Sequence, residues 1–501
     1  MNNLLDILFL KNFSPHFILF IVFIPFIAAM ICLVAGFFLK KFYKEIGIIS
    51  LFITFILSLI LALKILYFGE IIYIPGDWHG LWRIEFVADY MNALITVLIS
   101  GLSLVIMIYS IKYIPNIITN TGRAILHYPL FLFIVGAMEG FILAGDLFTM
   151  FMFLSTFSLS GYTLVVSSGD KNSVIAGIKY LYMGAIASVF FLHGIAFIYA
   201  AFGTLNIKLL SHHLQNWDGN LISAVGLVLL IMAFSLKTAL FPLHTWLPDA
   251  HSYAPSSVSA ILSGLVVEMG TFGIIRVIYY VYGFKNIASN FSMGDALLLL
   301  STFAIFIGAF GAMIQDNIKT VLAYSTISQM GYIVIGIGLG THYGMIGSIL
   351  HIINHAIMKA SLFLCAGCFI HAAKTQSIEK LRGIGKKMPY TFGAFMLAGI
   401  SIIGFPPTAG FISKWYLCLG AVEAKKTFFA VVILLGSILS AIYYIKLFNK
   451  LYFDPRETPD YEEAPKSMLI PVWTLAVLSL VLGLAVNIPL LWIEKAVAQI
   501  I

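Results

Sequence analysis

The stretch Phe234–His251 reads FSLKTALFPLHTWLPDAH, and it decides the fold. Lys237 stands at the end of an apolar run, and Pro242 follows it within a turn and a half. Proline removes a backbone donor and clashes with the preceding turn, so the run cannot continue as an unbroken helix. A second stretch, GFPPTAGFISKW at Gly404–Trp415, repeats the theme with Pro406 and Pro407 ahead of Lys414. What surrounds these runs decides whether water or lipid is their solvent.

Composition answers that question. The 501 residues are 61% hydrophobic and only 10% charged, whereas a soluble chain carries roughly 25% charged residues. Too little polar surface exists to cover a water-facing globule, so the bilayer is the solvent. The net charge of +7 is not gathered into a basic patch with interleaved aromatics, which argues against a nucleic-acid partner. The basic residues sit in short loops, where they act as topology determinants. Cys32, Cys365, Cys368 and Cys418 all lie in apolar segments, so the C-x-x-C at Cys365 reads as two small core residues. The first apolar run is flanked by Lys40, Lys41 and Lys44, lacks a small-residue cleavage site and reads as a span.

A spanning helix needs about 20 mostly apolar residues. That criterion gives about fourteen runs, the first centred near Ile24 and the last near Leu478. The expected fold is an all-α integral membrane protein. One set of alternate loops is lysine-rich, from Lys40, Lys41 and Lys44 through Lys319 and Lys374–Lys387 to Lys450, Arg456 and Lys466. The other set is poorer, with Arg83, Lys208, Lys285, Lys425 and Lys426. The positive-inside rule makes the first set cytoplasmic and places both termini outside, in a cell (cytoplasmic) membrane.

An ionisable group in the hydrocarbon core costs about 2.5–3.5 kcal/mol or more, so each one needs a reason. Glu139, Lys179, Lys237, Glu268, Lys359 and Lys414 all fall inside apolar runs. His351 and His355 share a helix face one turn apart. Lys179 and Lys359 also fit snorkelling or fixed salt bridges. Lys237 and Lys414 are different, because each lies beside a helix break. Breaks beside charges are how transporters build ion sites at mid-membrane, and two in one chain hint at an internal repeat. His244 and His251 flank Asp249 in a proline-rich stretch, better read as a polar loop than as a metal site. No sequence pattern for nucleotide, flavin or iron–sulfur binding is present, so no cofactor, metal or catalytic residue is expected in this chain.

The segment Lys237–Arg276, KTALFPLHTWLPDAHSYAPSSVSAILSGLVVEMGTFGIIR, resembles the central signature of one family. It comprises the proton-translocating, antiporter-like subunits of respiratory complex I, Mrp-type sodium/proton antiporters and energy-converting membrane-bound hydrogenases. Further matches are AGIKYLYMGAIAS from Ala176, GTLN from Gly203, DNIKTVLAYSTISQMGY from Asp316, HIINHAIMKASLFLCAG from His351 and GFPPTAGFISKW. The resemblance implies fourteen helices and two inverted five-helix repeats, with the seventh and twelfth helices broken. It divides the chain into residues 1–125 (helices 1–3), 126–282 (first repeat), 293–450 (second repeat) and 468–501 (helix 14). By position, Lys237 matches the seventh-helix lysine and Lys414 the twelfth-helix lysine. His351, His355 and Lys359 match the polar residues of the eleventh helix, and Asp249 the loop aspartate.

Two departures stand out. Ser155 occupies the place of the family's fifth-helix glutamate, and Glu268 that of an eighth-helix lysine or histidine. Glu139 lies on the preceding helix at nearly the same depth below the Gly145–Phe148 turn. The missing partner of Lys237 is therefore Glu139 or Glu268, or the first half-channel is degenerate. The resemblance implies a subunit moving protons, or protons in exchange for sodium, within a multi-subunit complex. Its redox centres would lie in other, peripheral subunits. A subunit of a non-redox Mrp-type antiporter is the alternative, and a scaffolding subunit a further one.

Overall fold

The computed structural model describes residues 16–76, 84–215, 217, 219–454 and 459–501. Arg83 and Arg456 of the charge reading lie outside them. The chain opens with α1 (Phe17–Val34), α2 (Tyr43–Phe68), α3 (Tyr90–Ile117), α4 (Thr121–Leu143), α5 (Leu147–Val166) and α6 (Lys171–Phe202). A short α7 (Ile207–His213) leads to α8 (Leu221–Lys237), the first break and the short α9 (Leu247–Tyr253). The rod α10 (Ser256–Tyr282) contains two wider, π-type stretches. Then come α11 (Phe284–Asn290), α12 (Met293–Ile314), α13 (Ile318–Leu339), α14 (His342–Ala373) and the short α15 (Ile384–Lys387). The second break separates α16 (Pro389–Ile403) from α17 (Ala409–Glu423), and α18 (Phe428–Phe448), α19 (Lys466–Leu484) and α20 (Asn487–Ala498) follow.

Twelve described helices are long and apolar enough to cross a bilayer. The sequence predicts about fourteen runs, and the difference lies at the breaks. There the first arms, α8 and α16, are 17 and 15 residues long, short of the roughly 20 a span needs. The loop between α2 and α3 holds a small antiparallel pair, β1 (Ile71–Tyr73) with β2 (Phe86–Ala88).

Helix starts are fixed locally. Asp89, Asn120, Asp146, Asp170, Asn206, Asn317 and Thr341 each turn a side-chain oxygen onto a backbone N–H of the first turn, an arrangement that stabilises a helix by about 1 kcal/mol. Two of these caps belong to the same motif. Gly145 and Leu147, around Asp146, exchange backbone hydrogen bonds with Leu205 and Ile207 around Asn206. Asp316 and Ile318, around Asn317, do the same with Gln376 and Ile378 around Ser377. The turn between α4 and α5 is thus tied to the end of α6 as the turn between α12 and α13 is tied to the end of α14.

The helices sort into layers by what they bury. In α10 the most apolar stretch is wholly buried, and α13 and α14 are nearly so. In α2, α6 and α18 most of it faces outward with large apolar side chains such as Phe52, Leu192 and Ile438. Lipid-facing surfaces of this kind need no covering by water-compatible groups. Close helix contact relies on glycine: a Cβ on Gly308 of α12 would lie 2.5 Å from the Ser328 nitrogen of α13.

Alternate loops gather on two opposite faces. Ile117, Asp170, Pro255, Lys319 and Gln376 surround one cavity of about 230 Å³. On the other face Ser211, Gly283, Gly340 and Ile501 surround a cavity of about 280 Å³. The first face is the lysine-rich one of the sequence reading. One of its lysines departs from that reading: Lys319 is 1% exposed and not a solvated loop residue.

Candidate functional site

At the first break α8 ends because Ala239 turns to φ +55° ahead of Pro242, a left-handed conformation uncommon outside glycine. The Leu236 carbonyl accepts from the Ala239 N–H at 3.2 Å and from the indole of Trp246 at 3.1 Å. The ammonium of Lys237 has other partners. It donates to Ser158 Oγ at 2.6 Å and to the Tyr162 hydroxyl at 3.1 Å, both on α5. Tyr162 packs edge-on against Tyr180, which stacks on Trp246. Lys237 is 2% exposed, and no carboxylate among the described residues pairs with it.

The structure therefore brings Lys237 together with neither Glu139 nor Glu268. Glu139 is fully buried in α4, and neither of its carboxyl oxygens has a hydrogen-bond partner among the described residues. Ser155 has an unpartnered buried hydroxyl, and the residue that Lys237 contacts, Ser158, lies about one turn further along α5.

The second break is built differently. Gly404, at φ +88°, ends α16, and Gly410 sits so close to the Ser401 carbonyl that no side chain fits there. The carbonyls of Ile402 and Ile403 are freed, and Lys414 of α17 donates to both, at 2.9 and 3.1 Å. Its ammonium also lies 4.6 Å from the ring centre of Tyr332, a favourable cation–π geometry.

Between the breaks runs a buried polar row. Glu268 of α10 and His355 Nδ1 share a 2.6 Å hydrogen bond, and the other Glu268 oxygen accepts from Thr271 at 2.9 Å. His351 lies one turn from His355 on α14, the two rings stacked with centroids 6.4 Å apart. His351 in turn contacts Ser413 Oγ at 2.8 Å and Gln329 Oε1 at 3.0 Å. Ser413 neighbours Lys414 in the chain, so the row Glu268–His355–His351–Ser413 reaches the second break. Every member is 1% exposed or less. The row is not fully bonded: His355 Nε2 is buried without a partner among the described residues, and only ring packing joins the two histidines.

A branch leads from this row towards the lysine-rich face. Lys359, one turn beyond His355, donates to the Leu322 carbonyl of α13 at 2.9 Å. His251 stacks on Phe363 of α14, and both its ring nitrogens are buried without partners among the described residues. Lys319 donates to the carbonyls of Ser252 and Ala254, at the end of α9. It also lines the 230 Å³ cavity. His244 and Asp249 do not gather with His251. Asp249 turns outward and pairs with Lys179 at 2.5 Å, and the buried Nδ1 of His244 has no described partner.

Lys319, Gln329, Ser413, Ser158 and Tyr162 do not stand out in the sequence as site residues. Hydroxyls and amides are ordinary in apolar helices, so their type carries no signal. Lys319 follows Asp316 and Asn317 at a helix start, where a lysine reads as solvated. Its burial comes from the packing of α9 on α13, which no local pattern displays.

Residues 144–440 match the family described as NADH:quinone oxidoreductase/Mrp antiporter, transmembrane. The chain is 33% identical over 426 residues to NADH-quinone oxidoreductase subunit N of Desulforudis audaxviator, covering 82% of this chain and 84% of that one. It is 29% identical to a Na(+)/H(+) antiporter subunit of Alkalihalophilus pseudofirmus, over 86% of each chain. A chain in the structure of the membrane-bound sulfane sulfur reductase, an archaeal respiratory membrane complex, superimposes with a TM-score of 0.90. It is 27% identical, with 97% of this chain and 98% of that one covered. Both breaks and the row between them fall within the matched region. By these matches the chain belongs to the NADH:quinone oxidoreductase/Mrp antiporter transmembrane family.

Proposed function

We propose that this chain is an ion-translocating membrane subunit of a multi-subunit, redox-driven complex, of the complex I or membrane-bound hydrogenase kind. The observation that carries the reading is the buried row Glu268–His355–His351–Ser413, ending beside Lys414 at a helix break. A carboxylate, two imidazoles and an ammonium placed in series exchange protons when a partner moves, since each alternates between donor and acceptor. The ion moved is the proton, or the proton in exchange for sodium. The redox chemistry belongs to other subunits, since this chain contributes a relay and no expected redox ligand set.

The membrane subunits packed beside it transmit the driving movement. The lysine-rich face is cytoplasmic by the positive-inside rule, which puts the carboxy terminus outside. Two inverted repeats account for the duplicated motif at Asp146 and Asn317. In the intact complex reconstituted in sealed vesicles, Glu268→Gln should abolish ion translocation while electron transfer continues. Undiminished translocation in an assembled Glu268→Gln complex would end the proposal.

A second reading rests on a specific observation: among the described residues, no carboxylate stands beside Lys237. It makes the first half of the chain a poor conductor and the second half the working one. A non-redox Mrp-type antiporter subunit shares the same row. Co-purification of the neighbouring subunits separates the two assemblies: iron–sulfur or nickel-containing partners support the first, and their absence the second.

A further inference from the structure

Glu139 is a fully buried carboxyl that the row does not use. The face of α3 opposite it is polar along much of its length: Asp89, Asn92, Thr96, Ser100 and Ser103 are all 3% exposed or less. Their spacing keeps them on one side of a helix. The Thr96 hydroxyl faces Glu139 from α3, outside hydrogen-bonding geometry. The Asn92 amide oxygen and the Ser103 hydroxyl are also buried without partners among the described residues. Ser100, between Thr96 and Ser103, is satisfied: it contacts Ser58 Oγ of α2 at 2.7 Å and the Thr96 carbonyl at 2.9 Å. Native proteins satisfy buried polar groups almost everywhere, so the unpartnered groups of Asn92, Thr96 and Glu139 mark a place for exchangeable water or protons.

The seam has one nearer end. Glu139 lies seven residues before Asp146, roughly 10 Å along α4 from the turn at the face opposite the lysine-rich one. There Arg276 pairs with Asp89 at 3.3 Å and donates to the Ala144 carbonyl at 3.2 Å. Asp146 keeps one buried oxygen unpartnered among the described residues, Glu85 lies close to it, and Lys208 holds Glu70 at 2.7 Å. Asp89, Asp146, Glu85 and Glu70 meet Arg276 and Lys208 here, and Lys495 lies over the ring of Tyr90, beside Asp89. Towards the lysine-rich face the seam closes. It is tied off first at Ser100, held to Ser58 and the Thr96 carbonyl, and beyond Ser103 come buried Met107 and then Ser110, whose hydroxyl is tied to the Ile106 carbonyl at 2.8 Å.

We propose that Glu139 is a proton-loading site reached along α3, through Asn92 and Thr96, from the face that carries Asp89 and Asp146. This route lies outside the two broken helices, and it makes Glu139 something other than the ion-pair partner of Lys237. Glu139 makes no hydrogen bond or ion pair with a charged side chain among the described residues. The site rests on the translocating reading only for its purpose, because its occupancy is measurable without transport.

The test is carbodiimide labelling of protonated carboxyls in the intact complex in oriented sealed vesicles, with Glu139 followed by peptide mass spectrometry. Acidifying the face of Asp89 and Asp146 should raise labelling of Glu139 severalfold, and acidifying the lysine-rich face should leave it unchanged. Thr96→Val, or Asn92→Leu as a second variant, should slow that response in complexes whose assembly is confirmed. Labelling that follows the lysine-rich face, or is indifferent to both faces, or is unchanged by both variants, overturns the proposal. A complex that fails to translocate ions yet shows the expected labelling defeats the translocating reading and leaves this site standing.

Discussion

Each break of the chain carries a lysine, and the two lysines are held in opposite ways. Lys414 binds the two carbonyls that its own break sets free, at 2.9 and 3.1 Å. Lys237 makes no such contact, and the Leu236 carbonyl beside it accepts from the Ala239 N–H and the Trp246 indole. The lysine turns instead to two hydroxyls of α5. The difference teaches that a broken helix does not by itself define an ion site. What matters is which group inherits the freed backbone and what lies next in line. Behind Lys414 stands the row Ser413–His351–His355–Glu268. Behind Lys237 stand Tyr162, Tyr180 and Trp246, a wall of rings.

The comparison breaks most readily at Lys414. Lys414→Met should lower ion translocation by about a hundredfold, at the low end of what a positioned proton-transfer group supplies. Loss no greater than that of Lys237→Met would erase the distinction between the halves. Lys237→Met itself should cost about tenfold, since its relay lacks a carboxylate. Both are read as the initial rate of vesicle acidification at matched electron-transfer rates.

Smaller effects sharpen the picture of how Lys237 is held. Ser158→Ala removes the shorter of its two acceptors and should cost about 1.5–3 kcal/mol of stability, the range for a hydrogen bond to a charged group. Thermal unfolding of the purified subunit in detergent checks this, with Thr156→Ala on the same helix as the control. The smallest effect belongs to Lys179→Ala. Its pair with Asp249 is 56% and 37% exposed in the single chain, so the loss should stay within about 1 kcal/mol.

Much of this was legible in the sequence, for a physical reason. Charges in apolar runs are costly, so Glu139, Lys237, Glu268, His355, Lys359 and Lys414 announce themselves by type alone. Prolines 242, 406 and 407 stand at the breaks, but Pro25, Pro129 and Pro471 lie inside continuous helices, so proline marks a break only beside a charge in an apolar run. Partnership was not legible. Glu268 and His355 are 87 residues apart, and only the packing of α10 on α14 joins them. The same holds for His251, which reads as part of a polar loop and turns out buried against Phe363. Spacing could align Glu139 with Ser155 in depth, but not reveal that Glu139 faces α3 and Thr96. The charge-based orientation put Lys319 on the face where it lies but read it as solvated, whereas it is 1% exposed.

The central claim is that the ion crosses the middle of the chain through the contact between Glu268 and His355. The direct measurement is proton translocation per electron by the assembled complex carrying His355→Ala, in sealed vesicles with subunit content verified. The account predicts that electron transfer persists while translocation through this subunit is lost. Translocation at the wild-type ratio in that variant would contradict it.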